Sequence, residues 1–174
     1  MERVGFGSRL VAYLIDTLIV IILAFLLSGV VASVLGVEAA GAAQGGDAEA
    51  AMGFVAGLMV ALAVGLPVLS TLYFLVEGFT GWTLGKLILG LKIGSAAGGS
   101  ASMGTLLARW AVKNIGTILS FLAMIVGVPF LGTVGSIAGL VILVGCFFVL
   151  GEKRQAFHDL AAKTAVYKRA QLSG

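Results

Sequence analysis

Leu18–Leu35 is a run of eighteen residues without one ionisable side chain. Crossing about 30 Å of hydrocarbon takes roughly 20 helical residues, so this run with its flanks is long enough to span a bilayer. Met1–Arg9 is basic and small residues follow at Glu38–Ala43, as in a secretory signal. The run exceeds the usual apolar centre of such a signal, and we read it as an uncleaved helix.

Three further stretches meet the same requirement, giving spans at Leu10–Leu35, Gly53–Val76, Leu106–Val126 and Gly132–Leu150. With 60% hydrophobic residues, 11% charged residues and a mean hydropathy of +1.13, 174 residues cannot cover a soluble domain with polar surface. The expected fold class is an all-α integral membrane protein, a four-transmembrane-helix bundle forming one domain over 1–174. It carries a short interfacial helix and small cytoplasmic elements within segments 78–105 and 151–174. Between the last two spans, "GVPFLG" around Pro129 reads as a tight turn. Pro67, followed by Ser70 and Thr71, is expected to kink the second helix where hydroxyls can re-satisfy the backbone. Gly53/Gly57 and Gly135/Gly139 mark close helix contacts, within the chain or between copies in a homo-oligomer.

Basic residues are retained on the cytoplasmic side of short loops. Arg3 and Arg9 precede the first span; Lys86, Lys92, Arg109 and Lys113 fall in the middle loop or at the start of the third; Lys153, Arg154, Lys163, Lys168 and Arg169 follow the fourth. These are all eleven basic residues, whereas Gly36–Met52 carries only Glu38, Asp47 and Glu49. The pattern places both termini in the cytoplasm of a multi-pass protein of the cell membrane, with Gly36–Met52 as a mobile outer connector. A net charge of +3 without a basic stripe interleaved by aromatics excludes nucleic acid as a partner and leaves the lipid bilayer. The single cysteine, Cys146, lies in an apolar run, so no intrachain disulfide forms.

In the middle segment, Thr83 is suited to cap a helix whose Leu84, Leu87, Ile88 and Leu91 share one face, which would lie in the membrane interface beside Trp82. "LKIG" and "SASM" flank "SAAGG" and suggest a small hairpin.

Arg9 and Asp16, seven residues apart, enter the first apolar run together. Seven helical residues turn about 700° and rise about 10.5 Å, so the two share a face, two turns apart and beyond direct contact. Tyr13 lies between them. Asp16 is then about 9 Å below the start of the helix at Leu10. A charge at that depth costs on the order of 2 kcal/mol or more unless paired, hydrated or protonated, so the carboxyl should face neighbouring helices. The expected company is Arg109, Lys113 and Asn114 on the third helix, with Glu77 closing the second and Lys86 nearby. Two readings of Asp16 remain open here, a structural clamp between helices and a binding or transport group. In the tail, His158 and Asp159 are adjacent and point about 100° apart on a helix, which rules out a simple oriented dyad. They lack the further ligands a metal site needs. No phosphate loop, nucleophile elbow or zinc spacing occurs, so neither an enzyme nor a cofactor is expected.

Three ordered motifs resemble those of the RDD family of small membrane proteins. Arg9, Ala12, Ile15 and Asp16 match its first-helix pattern; Thr83, Gly85, Lys86, Gly90, Leu91, Lys92 and Ile93 its loop pattern; Arg154, Gln155, His158, Asp159, Ala162 and Thr164 its tail. Lys163 stands where many relatives have glycine, which argues against a tight turn before Thr164. The resemblance implies that Arg9, Asp16 and Asp159 form the signature trio and that exchange of monovalent cations for protons is a function to expect. The alternative is a non-transporting scaffold or accessory subunit.

Overall fold

The structure, a computed structural model, describes residues 1–34 and 48–172. The connector expected from Gly36 lies outside the described residues as far as Asp47; by Ala48 the chain is already helical. Two compact units divide the chain, one of Met1–Asp16 with Tyr73–Gly174 and one of Thr17–Leu72.

The elements run α1 (Phe6–Val34), α2 (Ala48–Thr80), α3 (Leu84–Ile88), β1 (Leu91–Ser95), α4 (Met103–Lys113), α5 (Ile115–Val126), α6 (Pro129–Gly145), α7 (Phe157–Ala161) and β2 (Thr164–Lys168). The chain is mostly helical, but the all-α expectation gives way to a small antiparallel sheet. β1 pairs with β2, Leu91 opposite Lys168 and Ser95 opposite Thr164. Only a trace of the expected hairpin survives, as a bridge between Gly94 and Ser100 and a bond from the Ser95 N–H to the Gly99 carbonyl. The tail wins the pairing because Ala165, Val166 and Tyr167 bring apolar side chains that the glycine-rich "SAAGG" segment lacks.

Among the described residues, two helical stretches are long and apolar enough to cross a membrane, Phe6–Leu27 and Pro129–Leu150. The single helix expected over Leu106–Val126 is instead two, α4 and α5, bent by 68°. Asn114 breaks it: φ −104 and ψ 11 leave the helical region, and its side-chain amide donates to the Trp110 carbonyl at 2.8 Å. The break lets α4 bury Leu106 and Arg109 while α5 stays apolar. α6 begins at Pro129, earlier than the Gly132 expected for the last apolar stretch, and a 3₁₀ turn at Cys146–Leu150 follows it. Gly127, at φ 68, makes the sharp turn between α5 and α6. These helices meet through small residues: a Cβ on Gly116 would come within 2.8 Å of the Gly139 backbone. The surroundings of Gly53 and Gly57 are not among the described residues. Within Thr17–Leu72, Pro67 sits inside α2, and Ser70 donates its hydroxyl to the Pro67 carbonyl at 3.0 Å.

The first unit has its own core, in which Val4, Ala12, Leu91, Ile93, Leu106 and Val166 pack together. Leu91, expected on the face of the interfacial helix, belongs to this core instead, because Gly90 at φ 64 ends the helical path and starts the strand. Lys163 also departs from expectation. It adopts φ 53 and makes the tight turn into β2 despite carrying a side chain, with its N–H bonded to the Leu160 carbonyl.

Candidate functional site

Two buried carboxylates within the first unit, Asp16 and Asp159, organise its polar side chains in different ways. Asp16, about three turns into α1, is 1% exposed. Its Oδ1 accepts from the Tyr73 hydroxyl at 2.6 Å and the Gly85 N–H at 2.7 Å, and its Oδ2 accepts from the Thr83 hydroxyl at 2.6 Å. All three donors are neutral. Thr83 serves twice: it is the N-cap of α3, taking the Lys86 N–H at 3.4 Å, and it holds Asp16. Gly85 is required by contact, since a Cβ there would collide with the Ala12 carbonyl and lie 2.9 Å from the Asp16 carboxyl. Ala12, itself buried, leaves room for that approach on the helix side.

The expected companions of Asp16 are engaged elsewhere. Arg109 on α4 turns its Nε to Asp159 Oδ1 at 2.7 Å, its Nη1 to Glu77 Oε1 and its Nη2 to His158 Nε2 at 3.0 Å. Lys113 reaches Glu77 at 3.4 Å and lies 4.0 Å over the Phe74 ring, a cation–π arrangement. Asn114 shapes the helix break and joins no ion pair among the described residues. Tyr13, expected in the polar stripe, is 51% exposed and stacks on Phe74 with centroids 6.2 Å apart. The tight packing of α1 here runs through Ala12 and Asp16, and Tyr13 falls outside it.

Asp159 is the opposite case. It sits at the start of α7, fully buried, and holds Arg9 Nη1 at 2.5 Å as well as Arg109. Arg9 completes its donors with the Val4 carbonyl at 3.1 Å and the Arg154 carbonyl at 2.8 Å. Asp159 also takes the Ala156 N–H at 3.2 Å, satisfying an orphan donor at the first turn of α7. Burial pushes the Asp159 carboxyl up, but the Arg109 and Arg9 guanidiniums outweigh it and hold the group well below the usual carboxylate range. Glu77, in the last turns of α2, gathers Arg109, Lys113 and Lys86, the last at 2.6 Å. Burial draws the Lys86 ammonium down to about 8, while Asp16 and Asp159 work to raise it. Its 2.6 Å contact with Glu77 acts in the same upward sense.

His158 is buried and tuned by its neighbour. Burial and then the Arg109 charge hold its imidazole well below the usual histidine value. Because a guanidinium only donates, Nε2 must accept, which assigns the ring proton to Nδ1. His158 is thus an acceptor for Arg109; among the described residues no cluster of three or more metal-ligating side chains occurs.

Sequence reasoning gathered Arg109, Lys113, Asn114, Glu77 and Lys86 around Asp16; the structure instead joins Arg9, Glu77, Lys86, Arg109, Lys113, His158 and Asp159 in one network. That reasoning missed Tyr73, Thr83 and Gly85 as the partners of Asp16. Thr83 and Gly85 stand in the loop motif, so a signal for them was present, but a hydroxyl and a glycine carry no charge to pair by reasoning.

A mostly helical chain with apolar, membrane-length helices and a buried ionic network is a helical membrane protein. More narrowly, it belongs to the RDD family, whose pattern matches residues 3–163. No curated protein and no solved structure matches it.

Proposed function

We propose that the protein couples the movement of a monovalent cation to that of protons across the cell membrane, with Asp16 as the group that changes its charge state. One observation carries this reading: among the described residues Asp16 is a buried acid bonded to neutral donors and in no ion pair, whereas Glu77 and Asp159 are each tied to two or more cations. A carboxylate locked between guanidiniums keeps its charge. One held by hydroxyls and an amide can lose its charge without breaking an ion pair, and ionisable groups at membrane depth are functional by default. In this reading the chain crosses the bilayer four times, with α4 and α5 together as a bent third span, and both termini lie in the cytoplasm where all eleven basic residues gather. Four helices offer little room for a pathway, so the working form is a homo-oligomer. The test is pH-driven cation flux into liposomes. Flux should vanish in folded Asp16→Asn protein; undiminished flux would exclude Asp16 as the coupling group.

A second reading, a non-transporting scaffold or accessory subunit, draws support from the same bonds, because Asp16 cross-links α1 to α2 and α3 while Asp159 cross-links Arg9 to Arg109. It predicts no flux and a copurifying partner. Crosslinking in native membranes that captures only this chain would count against it.

A further inference from the structure

The short helix α3 has two unlike sides. Gly85 and Lys86 turn inward to Asp16 and Glu77 and are buried. Leu84, Ile88 and Leu89 turn outward, with Ile88 67% exposed. Leu84 and Ile88 stand one turn apart on the same face, and Leu89 follows at the C-cap. Depth decides what covers this face. Thr83, the N-cap of α3, and Gly85, in its first turn, both donate to Asp16, which lies about 9 Å along α1 from Leu10, where the apolar run is entered. That is the depth of an interfacial helix, which rides about 5–10 Å into the boundary between headgroups and acyl chains.

The sheet then sets positive charge beside that face. The Arg169 N–H donates to the Gly90 carbonyl at 2.7 Å, directly after Leu89, and Lys168 pairs with Leu91. Cross-strand partners project to the same face of a sheet with Cβ atoms about 4.5–5.5 Å apart, so Lys168 stands beside Leu91, two residues beyond Leu89. Lys168 and Arg169 are both exposed. Among the described residues Lys168 makes no ion pair. The charge comes from the far end of the chain, and only the β1 to β2 register brings it to α3.

We propose that α3 and the end of β2 form a docking surface for the headgroup of an anionic phospholipid, with Leu84, Ile88 and Leu89 among the acyl chains and Lys168 and Arg169 on the phosphate. An ammonium offers the phosphate a point charge, and a guanidinium offers it two parallel donors. A zwitterionic headgroup cancels much of that attraction with its own cation, so the surface selects net negative charge. A soluble acidic partner would meet the two basic residues but not the apolar side, which the bonds to Asp16 hold at lipid depth. The surface is independent of the proposed exchange, and a wild type without flux leaves it standing.

The experiment uses Trp82, two residues before Leu84, as the reporter. The full chain carrying Trp110→Phe, which leaves Trp82 as its one tryptophan, is placed in nanodiscs of phosphatidylcholine and phosphatidylglycerol. One of the two lipids carries brominated acyl chains, which quench indole fluorescence. At equal mole fraction, brominated phosphatidylglycerol is expected to quench Trp82 more strongly than brominated phosphatidylcholine, and the difference should fade as salt approaches about 1 M. Lys168→Gln with Arg169→Gln should lower the relative affinity for phosphatidylglycerol by about fivefold per charge removed. Ile88→Asn should weaken quenching by both lipids alike, and Lys163→Gln, at the other end of β2, should change the preference far less. Inorganic phosphate at constant ionic strength should leave the preference intact; its abolition would assign the charges to a soluble anion and overturn the proposal. Equal quenching by the two lipids, a preference that survives the double variant, or a Trp82 that neither lipid quenches would also overturn it. Should Trp110→Phe not fold, native mass spectrometry counts the phosphatidylglycerol retained by the wild type and by the double variant, and equal retention is then the overturning result.

Discussion

Asp16 and Asp159 are both buried acids in the same compact unit, yet one is surrounded by neutral donors and the other by two guanidiniums. Burial alone therefore says little about the work a carboxylate does; its partners decide whether the charge is fixed or free to change. Asp159 repays its desolvation through Coulomb attraction and in turn neutralises Arg9 and Arg109. Asp16 repays its own through three hydrogen bonds and makes no ion pair among the described residues, though its charge supports Lys86 through space.

The comparison is sharpest when each charge is removed in turn. Asp159→Asn leaves Arg9 buried without its counter-charge and Arg109 with Glu77 alone, and should cost about 3–5 kcal/mol, seen as loss of folded protein in detergent or a large drop in melting temperature. Asp16→Asn keeps an acceptor for Gly85 and breaks no ion pair, so about 1–2 kcal/mol is expected. Equal losses in the two variants would erase the distinction between the sites.

Acid titration probes the cationic side. His158 is held below its ordinary value, so between that value and its lowered one the unfolded chain binds a proton the folded chain refuses. Stability should fall as pH drops below about 6.5, by up to about 1.4 kcal/mol per pH unit. His158→Gln should flatten that slope. Asp159 adds a second loss in the same sense, beginning only as pH falls below its ordinary carboxylate value, because its folded value is depressed. A melting temperature flat from neutral pH to pH 5 would show that His158 is not held neutral by Arg109. The smallest effect serves as a control. Lys163→Gly, at φ 53 and touching neither carboxylate, should stabilise the chain by about 1 kcal/mol or less by removing the left-handed penalty, without altering flux.

Much of this was legible before any coordinates. Arg9, Glu77, Arg109, Lys113 and Asp159 declare themselves because charge in an apolar chain has few places to go. The pairing among them was not legible: Arg109, read as a partner for Asp16, serves Asp159 and Glu77 instead, because α4 bends away from α5 at Asn114 and carries the guanidinium into the polar layer. The β1 to β2 pairing joins segments some seventy residues apart in the chain, and no local pattern specifies so distant a partner. Lys163 shows the reverse error: glycine preference argued against a turn that the Leu160 bond and the strand register impose.

Composition and the spacing of apolar runs alone determined that this chain belongs in a membrane, since backbone and side chains of this character have no other stable solvent. Which acid keeps its charge and which can give it up was decided only by tertiary structure, because that depends on whether a guanidinium or a hydroxyl arrives within hydrogen-bond distance, and the arriving groups come from helices and loops far apart in the sequence.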